Sequence, residues 1–272
     1  MRVGIGVQVS SIEGACEDLP RLLELFAQYK VFVTLFISLG PDRSVSWWQR
    51  FGGAPFIADA AAECLEPLID TGHEVGLAPF DPATWARKAA HATASWTQHQ
   101  VLPGVELFKQ LLGRAPECFG VAQFQVNPHL LELETSLDFR FASDVRGKTV
   151  FLPRSQGIDG NCPQIPATLP SVEEALQHKG VRPANVHEEL FDTSQEWFPT
   201  GHVWRISVES EGRDHLDVVE KMLVMWRGSQ REIGTLGTLL EPVELDKLRR
   251  HQIGWQRVRG DGFQALQSVA VD

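Results

Sequence analysis

Cysteine is scarce in this sequence, and its few copies lie far apart. The 272 residues contain four cysteines, none of them in a C-x-x-C pair: Cys16, Cys64, Cys118 and Cys162. A zinc knuckle needs ligands at short spacing, and a disulfide framework is typical of small secreted domains. We therefore expect four buried thiols that carry no information about function.

Long apolar runs and an excess of positive charge are also missing. The longest strongly apolar stretch, residues 31–39, is far too short to span a bilayer, and no signal-peptide pattern precedes the first predicted strand. The formal net charge is −10, whereas nucleic acids are held by clustered Lys and Arg. We expect a cytoplasmic protein with no transmembrane segment and no nucleic-acid partner.

Hydrophobic residues make up 43% of the chain, and their spacing alternates between strand and helix periods. Eight segments have the composition of buried strands: residues 3–9, 31–38, 74–78, 118–122, 139–143, 165–169, 203–208 and 232–236. Six segments have helical spacing: residues 19–28, 57–69, 101–112, 130–137, 172–177 and 216–226. This alternation predicts an α/β fold, a single-domain deformed (β/α) barrel of seven or eight parallel strands.

Several segments carry a resemblance to a known family. VGIGVQVS at residues 3–10, FISLGPD at 36–42 and HEVGLAPFDP at 73–82 resemble the polysaccharide deacetylase (NodB-homology) family. Four further segments look like its branch that deformylates 4-deoxy-4-formamido-L-arabinose-phosphoundecaprenol: residues 143–147, 164–170, 209–212 and 249–267. The resemblance implies a deacetylase-like barrel over residues 1–248 and a C-terminal extension, 249–272, packed on the barrel.

The resemblance also implies that the family's metal site has been lost. The family ends its first strand in Asp-x-Asp, a general base followed by a metal ligand, and these roles fall on Gln8 and Ser10. Its His-x-x-x-His metal pair falls on Ala78 and Pro82. A carboxamide cannot take a proton at neutral pH, and Ala and Pro side chains have no lone pair for a metal. We therefore expect no metal and no other cofactor.

The remaining catalytic positions of the family are replaced as well. The Trp-Arg pair that orients the catalytic carboxylate falls on Phe124 and Gln125, and the general-acid histidine falls on Ser207. No catalytic residue is therefore expected. The polar and aromatic residues at predicted strand ends are candidates for ligand binding: Gln8, Ser10, Asp81, Phe124, Gln125, Asp144, Arg146, Glu209 and Glu211.

Two pairs of residues have two interpretations each. Asp144 and Arg146 either present one anion and one cation to a polar ligand or form a structural ion pair that fixes the loop. Trp47 and Trp48 either stack on a sugar or on a lipid headgroup region, or pack as a loop against the barrel.

Three functions from different classes are compatible with this pattern. The first is a pseudoenzyme that binds a sugar-like or amino-sugar-like molecule in the former active site. The second is an enzyme with metal-free chemistry in which Asp81, Asp144, Glu209 or Glu211 supplies acid or base, or one with residual amide hydrolase activity on an amino-sugar-type substrate. The third is a non-catalytic partner of an active enzyme, or a homo-oligomer, which an apolar surface on residues 101–112 or 216–226 would favour.

Overall fold

The computed structural model describes residues 1–45, 53–258 and 262–271, with only the backbone of residues 69 and 70. Its strands are β1 (Arg2–Val9), β2 (Thr34–Ile37), β3 (Glu74–Leu77), β4 (Cys118–Phe119), β5 (Phe141–Ala142), β6 (Leu152–Ser155), β7 (Ile158–Asp159), β8 (His202–Ser207), β9 (Glu232–Gly234), β10 (Arg250–Arg257) and β11 (Phe263–Val271). Its helices are α1 (Leu19–Gln28), α2 (Ile57–Ala60), α3 (Ala62–Leu65), α4 (Pro82–Lys88), α5 (Ala94–Leu112), α6 (Pro128–Ser136), α7 (Val172–Ala175), α8 (Val186–Thr193) and α9 (Leu216–Gly228).

Seven parallel strands within the described ranges form the main sheet, in the order β5-β4-β3-β2-β1-β8, with β9 beside the first half of β1. The sheet curls, so the predicted deformed barrel is confirmed. In place of the strand predicted at residues 165–169 there are isolated parallel bridges, from Gln164 to Ala142 in β5, from Ala167 to Arg146, and from Leu169 to Trp204 in β8. These bridges connect the two edges of the sheet.

The helix predicted at residues 57–69 is broken. Helices α2 and α3 are each one turn long, and a 3₁₀ turn, Glu66–Asp70, follows them. Pro67 explains the last break, because proline has no N–H to continue the hydrogen-bond ladder. Helix α5, by contrast, begins earlier than predicted, because the Thr93 side chain caps it by accepting a hydrogen bond from the Trp96 N–H.

Strand β1 separates two cores. Val3, Ile5 and the other odd-numbered residues of β1 are buried in the large core between sheet and helices, whereas the even-numbered Gly4, Gly6 and Gln8 point to the other face of the sheet, inside the barrel. A second apolar cluster fills the lower barrel: Phe36, Ala78, Cys118, Phe141, Val150, Ile165, Val203, Leu236, Leu239 and Leu240. The upper barrel is polar, and this is where the strands end.

A second, four-stranded sheet in the order β11-β10-β6-β7 was not expected from the sequence. Strands β10 and β11 form an antiparallel hairpin, and β10 pairs in parallel with β6. The hairpin reaches the carboxyl end of the barrel, where the Arg146 N–H donates to the Ala265 carbonyl at 2.9 Å and the Gln267 N–H donates to the Arg146 carbonyl at 2.7 Å. The division of the chain at residue 248 stays a prediction.

The expectation of four free thiols is wrong for one pair. Cys16, after β1, and Cys64, in α3, form a disulfide across 48 residues. Spacing along the chain could not indicate this pair, because the barrel brings together segments that follow neighbouring strands. Cys118 and Cys162 are free and buried as predicted, and burial raises the pKa of both thiols well above its usual range.

None of the helices in the described part of the chain is both long and apolar enough to cross a bilayer. The cytoplasmic location stays a prediction. The disulfide argues against it, since such bonds persist mainly in oxidising compartments.

Candidate functional site

A cavity of about 320 Å³ opens at the carboxyl end of the barrel strands, where parallel barrels carry their sites. Strands β1 and β8 end side by side, with Gln8 paired in register with Ser207. The cavity wall includes seven residues that the sequence had singled out: Gln8, Ser10, Phe124, Arg146, Ser207, Glu209 and Glu211.

Five more of the residues that the sequence had singled out are described by the structure and do not line this cavity. Ala78 is fully buried in the lower barrel, and Pro82 begins α4. Asp81 caps α4 by accepting from the Thr84 N–H at 2.9 Å. Asp144 is fully buried, and the Gln125 side chain donates to the Phe263 carbonyl. Trp47 and Trp48 lie outside the described residues.

Arg205, on β8, lies at the floor of the cavity and had not been singled out from the sequence. Its side chain is 7% exposed, its Nη1 donates to the Ser143 carbonyl, and its Nη2 donates to Gln8 Oε1 at 3.2 Å. Its guanidinium carbon lies 4.3 Å from the centroid of the Phe36 ring, a cation–π geometry. Burial lowers the pKa of Arg205 to about 10, against the opposing effect of Asp144, so the group remains charged at neutral pH.

The Arg205 contact fixes the orientation of the Gln8 amide. A guanidinium has no acceptor, so the Gln8 atom that faces it is the oxygen and the amide nitrogen points the other way. Gln8 Nε2 and Arg205 Nε are both buried, and neither has a hydrogen-bond partner among the residues that the structure describes. Both nitrogens are enclosed by protein atoms beneath the cavity.

Glu209 and Glu211 follow β8 and line the cavity wall. Glu209 Oε1 accepts from the Ser10 N–H at 2.8 Å and from the Ser11 hydroxyl at 2.9 Å, and burial raises the pKa of Glu209. Glu211 accepts from the N–H groups of Val172 and Ser207, at 3.0 and 2.9 Å. Burial raises the pKa of Glu211 to about 7, despite these two donors.

Asp144 and Arg146 do not pair with each other. Asp144 accepts from the Val121 N–H at 2.9 Å, and burial raises its pKa. Arg146 instead forms an ion pair with Glu174 of α7 and donates from Nη1 to the Leu169 carbonyl at 2.7 Å. Although burial raises the pKa of Glu174, Arg146 and the other hydrogen-bond donors lower it overall. Arg146 therefore anchors its loop through a partner that the sequence did not suggest.

Phe124 sits in a turn of unusual backbone conformation. Gln123 and Phe124 have φ of 57° and 52°, a region that residues other than glycine rarely adopt. The Arg146 guanidinium covers the Phe124 ring at 4.4 Å, so this ring face is occupied by a protein cation. Trp85 is buried beneath this turn and donates from Nε1 to the Gln125 carbonyl at 2.8 Å.

A second groove of about 800 Å³ adjoins the cavity. The two share Gln123, Glu174 and Gln264, and the groove continues over Trp255 and Phe263 of the C-terminal hairpin. Both aromatic side chains are exposed, at 41% and 52%. No group of three or more His, Cys, Asp or Glu side chains that could hold a metal ion occurs among the residues described here.

Arg205 was missed because a single arginine in a short strand resembles an exposed edge residue. The sequence nevertheless contains one indication that Arg205 is buried. It stands between two large apolar residues, Trp204 and Ile206, and the alternate glycines of β1 leave space for a long side chain. Gln264, whose side chain donates to Glu174 Oε1 at 3.1 Å, carried no comparable signal.

No family model matches the chain. A curated relative, the 4-deoxy-4-formamido-L-arabinose-phosphoundecaprenol deformylase ArnD of Shewanella sediminis, is 25% identical over 90% of this chain and 88% of its own length. The protein of the same name from Wigglesworthia glossinidia brevipalpis is 23% identical over 93% of this chain and 97% of its own length. Sequence similarity therefore extends over nearly the whole of both relatives.

Two solved structures share the fold. A polysaccharide deacetylase structure from Mycobacterium smegmatis superposes with a TM-score of 0.70 at 14% identity, over 94% of each chain. A CE4-family pseudoenzyme from Bacillus anthracis superposes with a TM-score of 0.59 at 14% identity, over 92% of this chain and 69% of its own.

Proposed function

The chain belongs to the polysaccharide deacetylase (NodB-homology) family, near its ArnD deformylase branch, and from this premise we propose that it binds a sugar-like molecule without hydrolysing it. The proposed site is the cavity at the carboxyl end of the barrel. Its size suits a small ligand, and its wall combines charged, amide and aromatic side chains.

The main support for this proposal is the environment of Gln8. Gln8 stands where the family has its general base, and its only oxygen accepts a hydrogen bond from Arg205. A fixed guanidinium at this point would repel a divalent cation, and the repulsion is strong because both charges would be partly removed from water. Ser10, Ala78 and Pro82 offer no anionic ligand to compensate.

A non-catalytic member of this family has a precedent. The Bacillus anthracis neighbour is described as a CE4-family pseudoenzyme, and a mutant of it as having restored enzymatic activity. These descriptions apply to that protein. They support the idea that the barrel persists after loss of the family chemistry.

The test combines elemental analysis of the purified, unchelated protein with deacetylase and deformylase assays in the presence of zinc, cobalt or nickel. An active deacetylase of the family, loaded in parallel, is the positive control. We expect substoichiometric metal and no turnover, together with measurable binding of a sugar by calorimetry. Stoichiometric metal accompanied by turnover would contradict the proposal and restore the hydrolase function.

Metal-free chemistry is a second candidate, favoured by the buried carboxyl group of Glu211. With its pKa near 7, this group is partly protonated at neutral pH, as a general acid or base should be. Its oxygens are already engaged by two backbone N–H groups, which weighs against the role. Turnover that occurs without metal and disappears in Glu211→Gln would support it.

The third function, a non-catalytic partner of an active enzyme or a homo-oligomer, has less support. On the two helices expected to present an apolar surface, the large hydrophobic residues that are exposed are Leu102 of α5 and Val224 of α9, one on each helix. The buried residues of α9, among them Trp226, pack in the core. An oligomerisation surface on these helices stays a prediction.

A further inference from the structure

The groove beside the cavity combines two exposed aromatic rings with two basic side chains. Its volume is about 800 Å³, and its lining includes Trp255 and Phe263 of the hairpin together with Arg87 and His91 at and just after the end of α4. We propose that this groove holds a nucleotide, and that the ligand of the protein is a nucleotide-linked sugar. The sugar part of this ligand rests on the proposed function, in which the cavity holds a sugar-like molecule.

The two aromatic rings form an apolar side of the groove. Trp255 pairs in register with Ala265, two residues from Phe263, so Trp255 and Phe263 lie on the same face of the hairpin. Both side chains are exposed, although each belongs to a large apolar residue. Bases of every kind stack on such rings, because every base has a π face. The hairpin thus offers a stacking platform next to the cavity.

The basic side chains of the groove are not neutralised by protein carboxylates. Within the described ranges, Arg87 makes one side-chain hydrogen bond, from Nη2 to the Thr84 hydroxyl at 3.5 Å, and the His91 ring makes none. The one acidic residue in the groove lining, Glu174, is already paired with Arg146. The cavity, by contrast, is lined by four glutamates. A phosphate group therefore suits the groove, whereas the cavity suits an uncharged sugar.

The walls of the groove are connected to one another by hydrogen bonds. The Gln125 side chain donates to the Phe263 carbonyl, and the Gln125 carbonyl accepts from Trp85 of α4 at 2.8 Å. These contacts join the hairpin to the turn at residues 122–125, and this turn to α4. The amides of Gln123 and Gln177 also line the groove and have no side-chain partner among the described residues. An amide can both donate to and accept from the polar edge of a base.

A chain of neutral sugars is the alternative occupant of the groove. Such a chain would also stack on Trp255 and Phe263, but it would leave the charge of Arg87 unused. A nucleotide uses both features, because its base is flat and its phosphate is anionic. Since the cavity and the groove share Gln123, Glu174 and Gln264, one ligand can extend from the sugar in the cavity to the nucleotide in the groove.

Calorimetry on the full chain with UMP, AMP, uridine and N-acetyl-D-glucosamine tests the parts of the ligand separately. We expect both nucleotides to bind more tightly than uridine, and to lose affinity as the salt concentration rises. Trp255→Ala should weaken binding of UMP, AMP and uridine about tenfold, as loss of a stacking ring does. Arg87→Met should weaken both nucleotides about threefold to fivefold and leave uridine unchanged. Trp197→Ala, which removes an exposed tryptophan that does not line the groove, is the matched control and should bind as the wild type does.

The connection between the two sites is tested with UDP-N-acetyl-D-glucosamine and with the neutral disaccharide N,N′-diacetylchitobiose. We expect the nucleotide sugar to bind at least tenfold more tightly than UMP or N-acetyl-D-glucosamine alone, because the two parts of one ligand bind together. An affinity no higher than that of UMP would overturn the nucleotide-linked sugar. Tighter binding of the disaccharide than of UMP would assign the groove to a sugar chain and overturn the nucleotide site.

The same titrations separate failure of the nucleotide site from failure of the proposed function. Binding of N-acetyl-D-glucosamine without binding of UMP or AMP would overturn the nucleotide site and leave a sugar-binding protein. Equal affinity for UMP and uridine, or a Trp255→Ala variant that binds as the wild type does, would overturn it as well. Binding of the nucleotides alone, with no contribution from any sugar, would instead contradict the proposed function and the nucleotide-linked sugar together.

Discussion

The side chain of Arg205 lies in the space that a Cβ atom of Gly6 would fill. The two residues are paired in register on β8 and β1, and an added Cβ at Gly6 would stand 2.6 Å from Arg205 Cδ and 3.1 Å from its Nε. Glycine at position 6 is thus what allows a buried arginine inside this barrel.

We expect Gly6→Ala to push Arg205 out of its position. The free energy of unfolding should fall by about 1–3 kcal/mol, as for other overpacked cores. Urea unfolding measures this effect. Gly228→Ala, at the end of α9, is a suitable control because nothing lies within 4 Å of its added Cβ. Equal stability of the two variants would contradict the packing argument.

Arg146→Ala tests whether Arg146 anchors its loop. The substitution leaves Glu174 without its cation and the Leu169 carbonyl without a donor, so we expect a loss of about 2 kcal/mol in urea unfolding. Arg154→Ala breaks an exposed ion pair with Asp159 and should destabilise the protein much less. A double variant, Arg146→Ala with Glu174→Ala, should be less destabilised than the sum of the single variants. Full stability of Arg146→Ala would show that its role is not structural.

Reduction of the disulfide between Cys16 and Cys64 should lower the melting temperature. Disulfides typically contribute about 2–4 kcal/mol, mainly by restricting the unfolded chain. The double variant Cys16→Ser/Cys64→Ser should melt at this lower temperature with or without reductant, whereas Cys162→Ala should keep the wild-type response to reductant. A wild-type protein indifferent to reductant would argue that the bond is absent in solution.

The buried Glu211 should make stability depend on pH. Its pKa is raised from 4.5 to about 7 on folding, so the folded state binds more protons than the unfolded state in this range. The stabilisation is present at low pH and is lost as the pH rises through 7.

Relative to Glu211→Gln, the free energy of unfolding of the wild type should fall by about 3 kcal/mol between pH 5 and 8. A pKa shift of one unit corresponds to about 1.4 kcal/mol. Unfolding by urea at several pH values measures this difference. Glu24→Gln, an exposed substitution, controls for the change in net charge. A difference that is constant or grows with pH would refute the burial effect.

The barrel could be predicted from sequence because each of its strands carries a local signal. Residues 3–9 are β-branched or glycine apart from Gln8, and residues 31–38 are mostly apolar, so hydrophobic burial specifies both strands locally. The same holds for the positions of Gln8, Ser10 and Ser207, because they follow from where β1 and β8 end. Local patterns thus located the cavity.

The contacts inside the cavity could not be predicted, because they depend on residues far apart in sequence. The partner of Arg146 is Glu174, in a helix of four residues, and the Arg205 guanidinium donates to carbonyls that follow two other strands. Strand β6 finds its partner β10 about a hundred residues later, and neither has strong alternation. These contacts form only when the whole chain has folded.

Part of the cavity wall belongs to the C-terminal hairpin and is therefore synthesised after the barrel strands. Gln264 lines the cavity, and the next residue, Ala265, bonds the loop that carries Arg146. Every strand of the barrel precedes these residues, and domains fold as they emerge from the ribosome. A nascent chain can therefore hold a complete barrel while the cavity still lacks the side formed by Gln264, and this side is added only when the hairpin docks.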